Sequence, residues 1–124
     1  MIQEDKELLL KDLCARIPYH VRVKIWLKDG TTEEGSLDLQ HNYADVLLGA
    51  FYYNKIIDIK PYLRPLSSMT DSEKEYYYGL TEMKCTLGYA IDKVRFCLEY
   101  HIDMNNLIPK GLALEAPEDM YKFE

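Results

Sequence analysis

The chain has 124 residues, 48% of them hydrophobic, and a formal charge of -6. This length suits one compact domain, residues 1–124, which buries roughly two thirds of the surface of its unfolded form without disulfides or metals. The acidic balance disfavours general binding to nucleic acid or anionic lipid. Residues 67–124 carry 6 basic against 11 acidic residues and residues 1–66 carry 9 against 10, so an anion-binding patch is expected only in the first half.

The cysteines and the N-terminal segment predict a cytoplasmic protein. Cys14, Cys85 and Cys97 are odd in number, far apart and without C-x-x-C spacing, which is typical of reduced thiols. The first residues are acidic where a secretory signal is basic, and the apolar run Leu8–Leu10 is too short to cross a membrane. We expect no membrane association, no metal and no cofactor.

The first predicted element is a helix from Gln3 to Arg16. Leu9, Leu10 and Leu13 form an apolar stripe on it, the first turn is acidic, and Pro18 ends it. We expect this helix to pack on a sheet.

The stretch from Val21 to Leu39 predicts a β-hairpin with two distinct faces. Val21, Val23, Ile25 and Leu27 alternate with the residues of the other face and predict the buried face. The opposite face carries His20, Arg22, Lys24, Trp26 and Lys28.

The loop length decides the register of this hairpin. A two-residue Asp29-Gly30 loop would mix the two faces. A three-residue loop, Lys28 to Gly30, with Gly30 in the left-handed region, places Val21 opposite Leu37 and Lys24 opposite Glu34. We predict the three-residue loop.

Two further strands are expected, at Asp45–Tyr53 and at Ile56–Lys60, with Pro61 ending the second because proline cannot donate to a ladder. Short strands with tight links predict an antiparallel sheet of four or five strands.

Two helices follow. Thr70 and Glu73 have the spacing of a capping box and predict a helix that runs to about Lys84. Apolar residues at helical spacing predict another from Thr86 to Tyr100. Its apolar stripe is Leu87, Ile91, Val94 and Leu98, with Ala90 and Cys97 beside it. Prolines and a glycine between Leu107 and Glu124 predict a short turn and an extended tail packed by Leu112, Leu114, Met120 and Tyr121.

The polar face of the hairpin has the composition of a nucleic-acid surface. Arg22, Lys24 and Lys28 supply cations for phosphate, and Trp26 supplies a ring for stacking. Alternatively, it is a solvated face on which Glu34 pairs with Lys24 and the first helix covers Trp26.

Cys97 and His101 lie four residues apart on a predicted helix, with Asp103 just beyond, and could approach one metal ion. Two ligands do not make a site, and a buried thiol and a histidine at a helix C-terminus have ordinary structural roles. The structural interpretation is preferred.

Tyrosine is abundant, with eleven in the chain, and Tyr76, Tyr77 and Tyr78 are consecutive. Consecutive helical residues point about 100° apart, so at least one of these rings is expected at the surface. Tyrosine is enriched at protein interfaces, which makes Tyr76 and Tyr77 candidates for a partner-binding or dimer surface.

Catalytic signals are weak. His20, His41 and His101 have no local nucleophile partner, and the glycines form no phosphate-binding loop. Carboxylates such as Asp38, Asp45 and Asp58 could meet in space, so an enzyme without a local motif is the third interpretation.

Three phrases of the sequence are distinctive: LLLKDLCARIPYHVRV (8–23), IKPYLRPLSSMT (59–70) and IPKGLALEAPEDMYK (108–122). Together they resemble a family of small uncharacterised proteins of gut Bacteroidetes and their phages or prophages. The resemblance implies a cytoplasmic protein associated with mobile elements, and favours a binding module for a host or phage macromolecule.

Residues 3–39 are also similar to Sm-like small barrels, through Leu27–Gly30 and Gly35–Leu37. His41 and Ala44 stand where the nucleotide-contacting residues of those barrels would be. This likeness therefore implies a strongly bent, small-barrel-like sheet and does not imply RNA binding.

The expected protein is thus an α+β domain with an N-terminal helix, an antiparallel sheet, two C-terminal helices and a packed tail. The preferred function is non-catalytic binding of a protein, or of a second copy, through a sheet edge or the tyrosine-rich helix. A nucleic-acid module using the basic hairpin face is the alternative.

Overall fold

The computed structural model describes residues 2–37, 56–82 and 87–121. It has three α-helices, α1 (Gln3–Arg16), α2 (Asp71–Glu82) and α3 (Leu87–Glu99), within these ranges. The strands there are β1 (Val21–Leu27), β2 (Thr32–Leu37), β3 (Ile56–Leu63) and β4 (Leu114–Glu115). The predicted strand Asp45–Tyr53 and the end of the helix predicted to reach Lys84 lie outside the described residues.

The first helix has the predicted bounds, Gln3–Arg16. A 3-10 turn at Ile17–Tyr19, which contains Pro18, follows it. Leu9 and Leu13 are fully buried and belong to one core cluster with the inward side chains of β1. The prediction that this helix packs on the sheet is confirmed.

The hairpin has the predicted register, with Val21 opposite Leu37 and Lys24 opposite Glu34. The Leu27 N–H donates to the Thr31 carbonyl at 2.9 Å, which closes a loop of three residues. Gly30 has a φ of 88°, in the left-handed region where glycine is favoured. The alternation of buried and outward residues fixed this register because a slip of one residue would expose the core side chains.

The sheet differs from the prediction in its direction of pairing. Its order is β2-β1-β3-β4, an open arrangement in the described residues, and β3 pairs antiparallel with β1 but parallel with β4. A parallel neighbour needs a long crossover, and α2 and α3 provide it between β3 and β4. The prediction of a wholly antiparallel sheet was therefore wrong. The strand β4 was not predicted because its two residues are too few to show an alternating pattern.

The third strand also continues past the predicted end at Lys60. Pro61 is buried and lies opposite Val23, and β3 runs on to Leu63. Proline is tolerated where its nitrogen has no ladder partner, and β4 pairs with β3 only at Tyr62 and Leu63.

The tail packs as predicted around Leu112 and Tyr121. Leu112 is buried, and the Tyr121 hydroxyl accepts a hydrogen bond from the Arg22 N–H at 2.9 Å and donates to the Tyr62 carbonyl at 2.7 Å. Burial raises the pKa of Tyr121 to about 12, so its hydroxyl keeps the proton that it donates. This side chain ties the tail to both β1 and β3.

A capping box opens α2, as predicted from Thr70 and Glu73. The Thr70 N–H donates to the Glu73 carboxylate at 2.8 Å, and the Glu73 N–H donates to Thr70 Oγ1 at 3.2 Å. The Glu73 carboxylate also forms a bidentate ion pair with the Arg64 guanidinium, with N–O distances of 2.7 and 3.0 Å. The N-terminus of α2 is thereby fixed to the end of β3.

The last helix runs from Leu87 to Glu99, close to the predicted bounds, but only part of its predicted apolar stripe faces the core. Phe96, Cys97 and Leu98 are buried, whereas Ile91 and Val94 are 54% and 47% exposed. The buried side of α3 joins Met69 and Ile102 in a second core cluster. Because the helix carries two neighbouring apolar stripes, periodicity alone could not decide which stripe faces inward.

Candidate interaction surfaces

The predicted basic residues of β1 lie on the face of the sheet that points away from the core. Arg22, Lys24 and Trp26 are partly buried and alternate with the buried Val21 and Val23. Lys28 lies in the hairpin loop and is exposed. Since α1 packs against the other face, it does not cover Trp26.

Trp26 is flanked by two lysines from neighbouring strands. The Lys24 Nζ lies 5.4 Å from a Trp26 ring centroid, and the Lys60 Nζ lies 5.7 Å from one. Lys60 was missed because its place depends on the pairing of β3 with β1, which sets it opposite Lys24. Both distances are within the range of a cation–π interaction.

Acidic residues moderate the charge of this face. Glu34 lies opposite Lys24 and accepts a hydrogen bond from the Tyr62 hydroxyl, which raises the pKa of Tyr62. The Asp58 carboxylate is 4.0 Å from the Lys60 Nζ. The face is therefore a mixture of both charges around one indole ring.

The three consecutive tyrosines of α2 have different environments. Tyr76 and Tyr78 are each 50% exposed, and Tyr77 is partly buried. The Tyr77 ring lies 6.4 Å from Phe96, and the Lys93 Nζ lies 4.6 Å from its centroid. Of the two tyrosines predicted for binding, Tyr76 is at the surface and Tyr77 contributes to the packing of α2 on α3.

An aromatic groove separates α2 and α3, and we use this name for the surface around Tyr76, Phe96 and Tyr100. Tyr76 lies 5.1 Å from Phe96, and Tyr100 lies 5.0 Å from Phe96, between ring centroids. The groove has a volume of about 340 Å³, and the side chains that also line it are Ser72, Glu73, Asp92, Arg95 and Glu99. Phe96 and Tyr100 were missed as site residues, although their i, i+4 spacing places them on one side of a helix.

An apolar ridge lies on the other side of Arg95, and this name denotes Ile91 and Val94. The ridge borders a shallow depression of about 460 Å³ that Tyr19, Ala90, Arg95 and Leu98 also line. Arg95 lines both this depression and the aromatic groove. The two features therefore form one surface along α3.

A cleft of about 500 Å³ lies beside the Arg64–Glu73 ion pair and is also lined by Tyr100 and Tyr121. The Arg64 guanidinium donates to Glu73 and to the Ser68 and Tyr100 carbonyls. Its hydrogen bond to Arg64 holds the pKa of Glu73 below its usual value. Because the guanidinium already donates to these partners, we interpret Arg64 as a structural residue and not as the centre of an anion-binding site.

The residues considered for a metal have structural roles. Cys97 is buried, and burial raises the pKa of its thiol. Asp103 accepts hydrogen bonds from the Leu107 and Ile108 N–H groups, at 2.8 and 2.9 Å. No group of three or more His, Cys, Asp or Glu side chains in residues 2–37, 56–82 and 87–121 is placed to hold a metal ion.

His101 ends α3 in a Schellman motif. It has a φ of 59°, its N–H donates to the Leu98 carbonyl, and the Ile102 N–H donates to the Cys97 carbonyl at 2.8 Å. Its ring stacks on Tyr121 at 3.9 Å, and burial lowers the pKa of His101 to about 4. A neutral, stacked imidazole is held here, joining the end of α3 to the tail.

In the described part of the chain, no helix has the length and apolar character needed to span a membrane. Of the carboxylates considered for catalysis, Asp38 and Asp45 lie outside the described residues, and Asp58 approaches Lys60. No protein-family model, curated protein or solved structure matches this chain.

Proposed function

We propose that this protein is a non-catalytic protein-interaction module whose binding surface is formed by α2 and α3. Tyr76, Ile91 and Val94 are all exposed on this pair of helices, and their exposure supports a binding surface there. We further propose that it acts in the cytoplasm in a phage or mobile-element setting, as the resemblance of its three phrases implies.

The exposed apolar side chains supply the driving force for binding. Ile91 and Val94 are about half exposed, so covering each would contribute about 1 kcal/mol. Apolar patches edged by polar groups are typical of protein-binding sites, and aromatic side chains are enriched at the centres of such sites. The apolar ridge and the aromatic groove together have this composition.

The test is an affinity capture from a bacterial lysate with and without nuclease, comparing the wild type with two variants. Ile91→Ser removes an exposed apolar group from α3, and Ile57→Ser removes one that is 66% exposed on β3. We expect a stoichiometric protein that survives nuclease, is lost with Ile91→Ser and is retained with Ile57→Ser. Equal capture by both variants would contradict the proposal.

A second candidate function, nucleic-acid binding, is favoured by the two lysines that flank Trp26. Trp26 is the single tryptophan of the chain, so its fluorescence reports directly on this face. A titration with single-stranded RNA would quench it, with an affinity that falls as salt rises. Lys60→Gln would weaken that binding, and Lys110→Gln, at an exposed turn residue that makes no described contact with Trp26, would not. An unchanged fluorescence would remove this function.

A further inference from the structure

The aromatic groove between α2 and α3 has the features of a site for one cationic side chain. Tyr76, Phe96 and Tyr100 line it, and the Phe96 ring packs between the other two with centroid separations of 5.1 and 5.0 Å. Its volume of about 340 Å³ is small, at the lower end for ligand pockets, which suits a single side chain. We infer that this groove receives a lysine or arginine side chain from the partner protein, an inference that rests on the proposed function.

The charges at the groove favour a cation. Glu73, Asp92 and Glu99 line it, against one basic residue, Arg95. Arg64 pairs with Glu73, and Arg95 pairs with Asp92 at 2.5 Å. Glu99 is exposed and makes no ion pair within the described residues, so its carboxylate is available to a partner.

The same aromatic cluster already holds one cation. The Lys93 Nζ lies 4.6 Å from the centroid of Tyr77, whose ring is 6.4 Å from Phe96. This contact is a cation–π interaction made by the chain itself. The groove offers the neighbouring rings of that cluster to a cation from outside.

The position of the groove favours a polypeptide over a free cation. Arg95 lines both the groove and the depression beside Ile91 and Val94. A segment that covers this apolar ridge therefore reaches the groove with its next side chains. The ridge supplies apolar contact area, and the groove selects for positive charge.

The test is a titration followed by the amide resonances of the ¹⁵N-labelled protein, with the capped probe peptide Gly-Ser-Leu-Arg-Leu-Ser-Gly. A matched peptide carries citrulline in place of arginine, which keeps the shape and removes the charge. We expect the arginine peptide to shift the resonances of Tyr76, Phe96 and Glu99, and to bind about two- to fivefold more tightly than the citrulline peptide. Equal binding of the two peptides would overturn the inference.

Three variants sharpen this test. Glu99→Gln removes the available carboxylate and is expected to weaken arginine-peptide binding about two- to fivefold, whereas Glu33→Gln, on β2, makes the same change elsewhere and has no effect. Tyr76→Leu keeps an apolar side chain but removes the ring, and is expected to reduce the preference for arginine over citrulline. Equal effects of Glu99→Gln and Glu33→Gln would show that only the overall charge matters and would contradict the site.

These results separate the inference from the proposed function. If Ile91→Ser abolishes protein capture while the arginine peptide leaves the groove resonances unchanged, the helices bind a protein and the cation site is wrong. If the peptide binds the groove as expected but no captured protein depends on Ile91, the cation site stands and the proposed function is wrong.

Discussion

The ion pair between Asp12 and Arg16 provides a quantitative test of how the core is held. Both side chains are fully buried, and the Arg16 Nε donates to Asp12 Oδ2 at 2.7 Å. Arg16 also donates to the Ile102 carbonyl at 2.8 Å, and Asn105 donates to Asp12 Oδ1 at 2.9 Å. The pair therefore joins α1 to the segment that follows α3.

Asp12→Ala would remove the carboxylate that pairs with the buried Arg16 guanidinium. Of the acceptors named above, only the Ile102 carbonyl would remain. Breaking a buried ion pair in this way costs about 3–5 kcal/mol, a large part of the roughly 5–15 kcal/mol that stabilises a domain. We expect a loss of this size in the free energy of unfolding, measured by urea denaturation with circular dichroism.

The chain offers a matched control in the exposed Asp92–Arg95 pair, which joins the same residue types one turn apart on α3. Asp92→Ala should cost at most about 0.5 kcal/mol, because exposed ion pairs contribute little. The double variant Asp12→Ala, Arg16→Met removes the stranded charge and should be more stable than Asp12→Ala alone. A loss of stability for Asp12→Ala no larger than that for Asp92→Ala would show that the buried pair contributes no more than the exposed one.

Three further outcomes are expected from urea unfolding. Gly30→Ala should destabilise the hairpin by about 1–2 kcal/mol, because a φ of 88° is unfavourable for any residue with a side chain. Gly35→Ala is the control: at both positions no atom lies within 4 Å of the added methyl group, but Gly35 has no positive φ, so we expect no such loss. Thr70→Ala should cost about 1 kcal/mol through loss of the helix cap, with Thr70→Ser close to wild type. The folded-state pKa of His101, about 4, lies below its ordinary value of 6.5, so the unfolded state binds more protons between these values and stability falls as the pH is lowered through them. The wild type should therefore lose about 1–2 kcal/mol more than His101→Asn between pH 6.5 and 5, and equal losses would contradict the burial of a neutral imidazole.

Local signals in the sequence predicted the parts of the fold that local interactions determine. The bounds of α1 follow from its apolar stripe and from Pro18. The hairpin register follows from alternation and from Gly30, and the start of α2 from its capping box. Each of these features depends on residues close together in the chain.

The features that were missed depend on contacts between distant residues. The parallel pairing of β4 requires Leu114 to meet Tyr62 across two helices. The side of α3 that faces inward, which the spacing of apolar residues left open, is the side of Phe96; this ring packs against Tyr76 and Tyr77, and Ile91 lies at the surface. Neither outcome has a signature in the spacing of nearby residues.

In the candidate site, too, the sequence predicted the features that depend on local geometry and missed those that depend on tertiary contacts. Alternation placed Arg22, Lys24 and Trp26 on one face, and helical geometry placed at least one tyrosine of α2 at the surface. The sequence did not show that Lys60 lies beside Trp26 or that Phe96 packs against Tyr76. Both contacts join residues that only the tertiary structure brings together. The aromatic groove exists only because two helices meet.

Hydroxyl-radical footprinting of the free protein and of its captured complex tests binding through α2 and α3, because tyrosine and tryptophan are both readily modified. Tyr76 reports on the helix pair, and Trp26 reports on the outward face of the sheet. Binding through α2 and α3 predicts that the modification rate of Tyr76 falls in the complex while that of Trp26 is unchanged. A fall in the modification rate of Trp26 with no change at Tyr76 would place the partner on the sheet and contradict binding through α2 and α3.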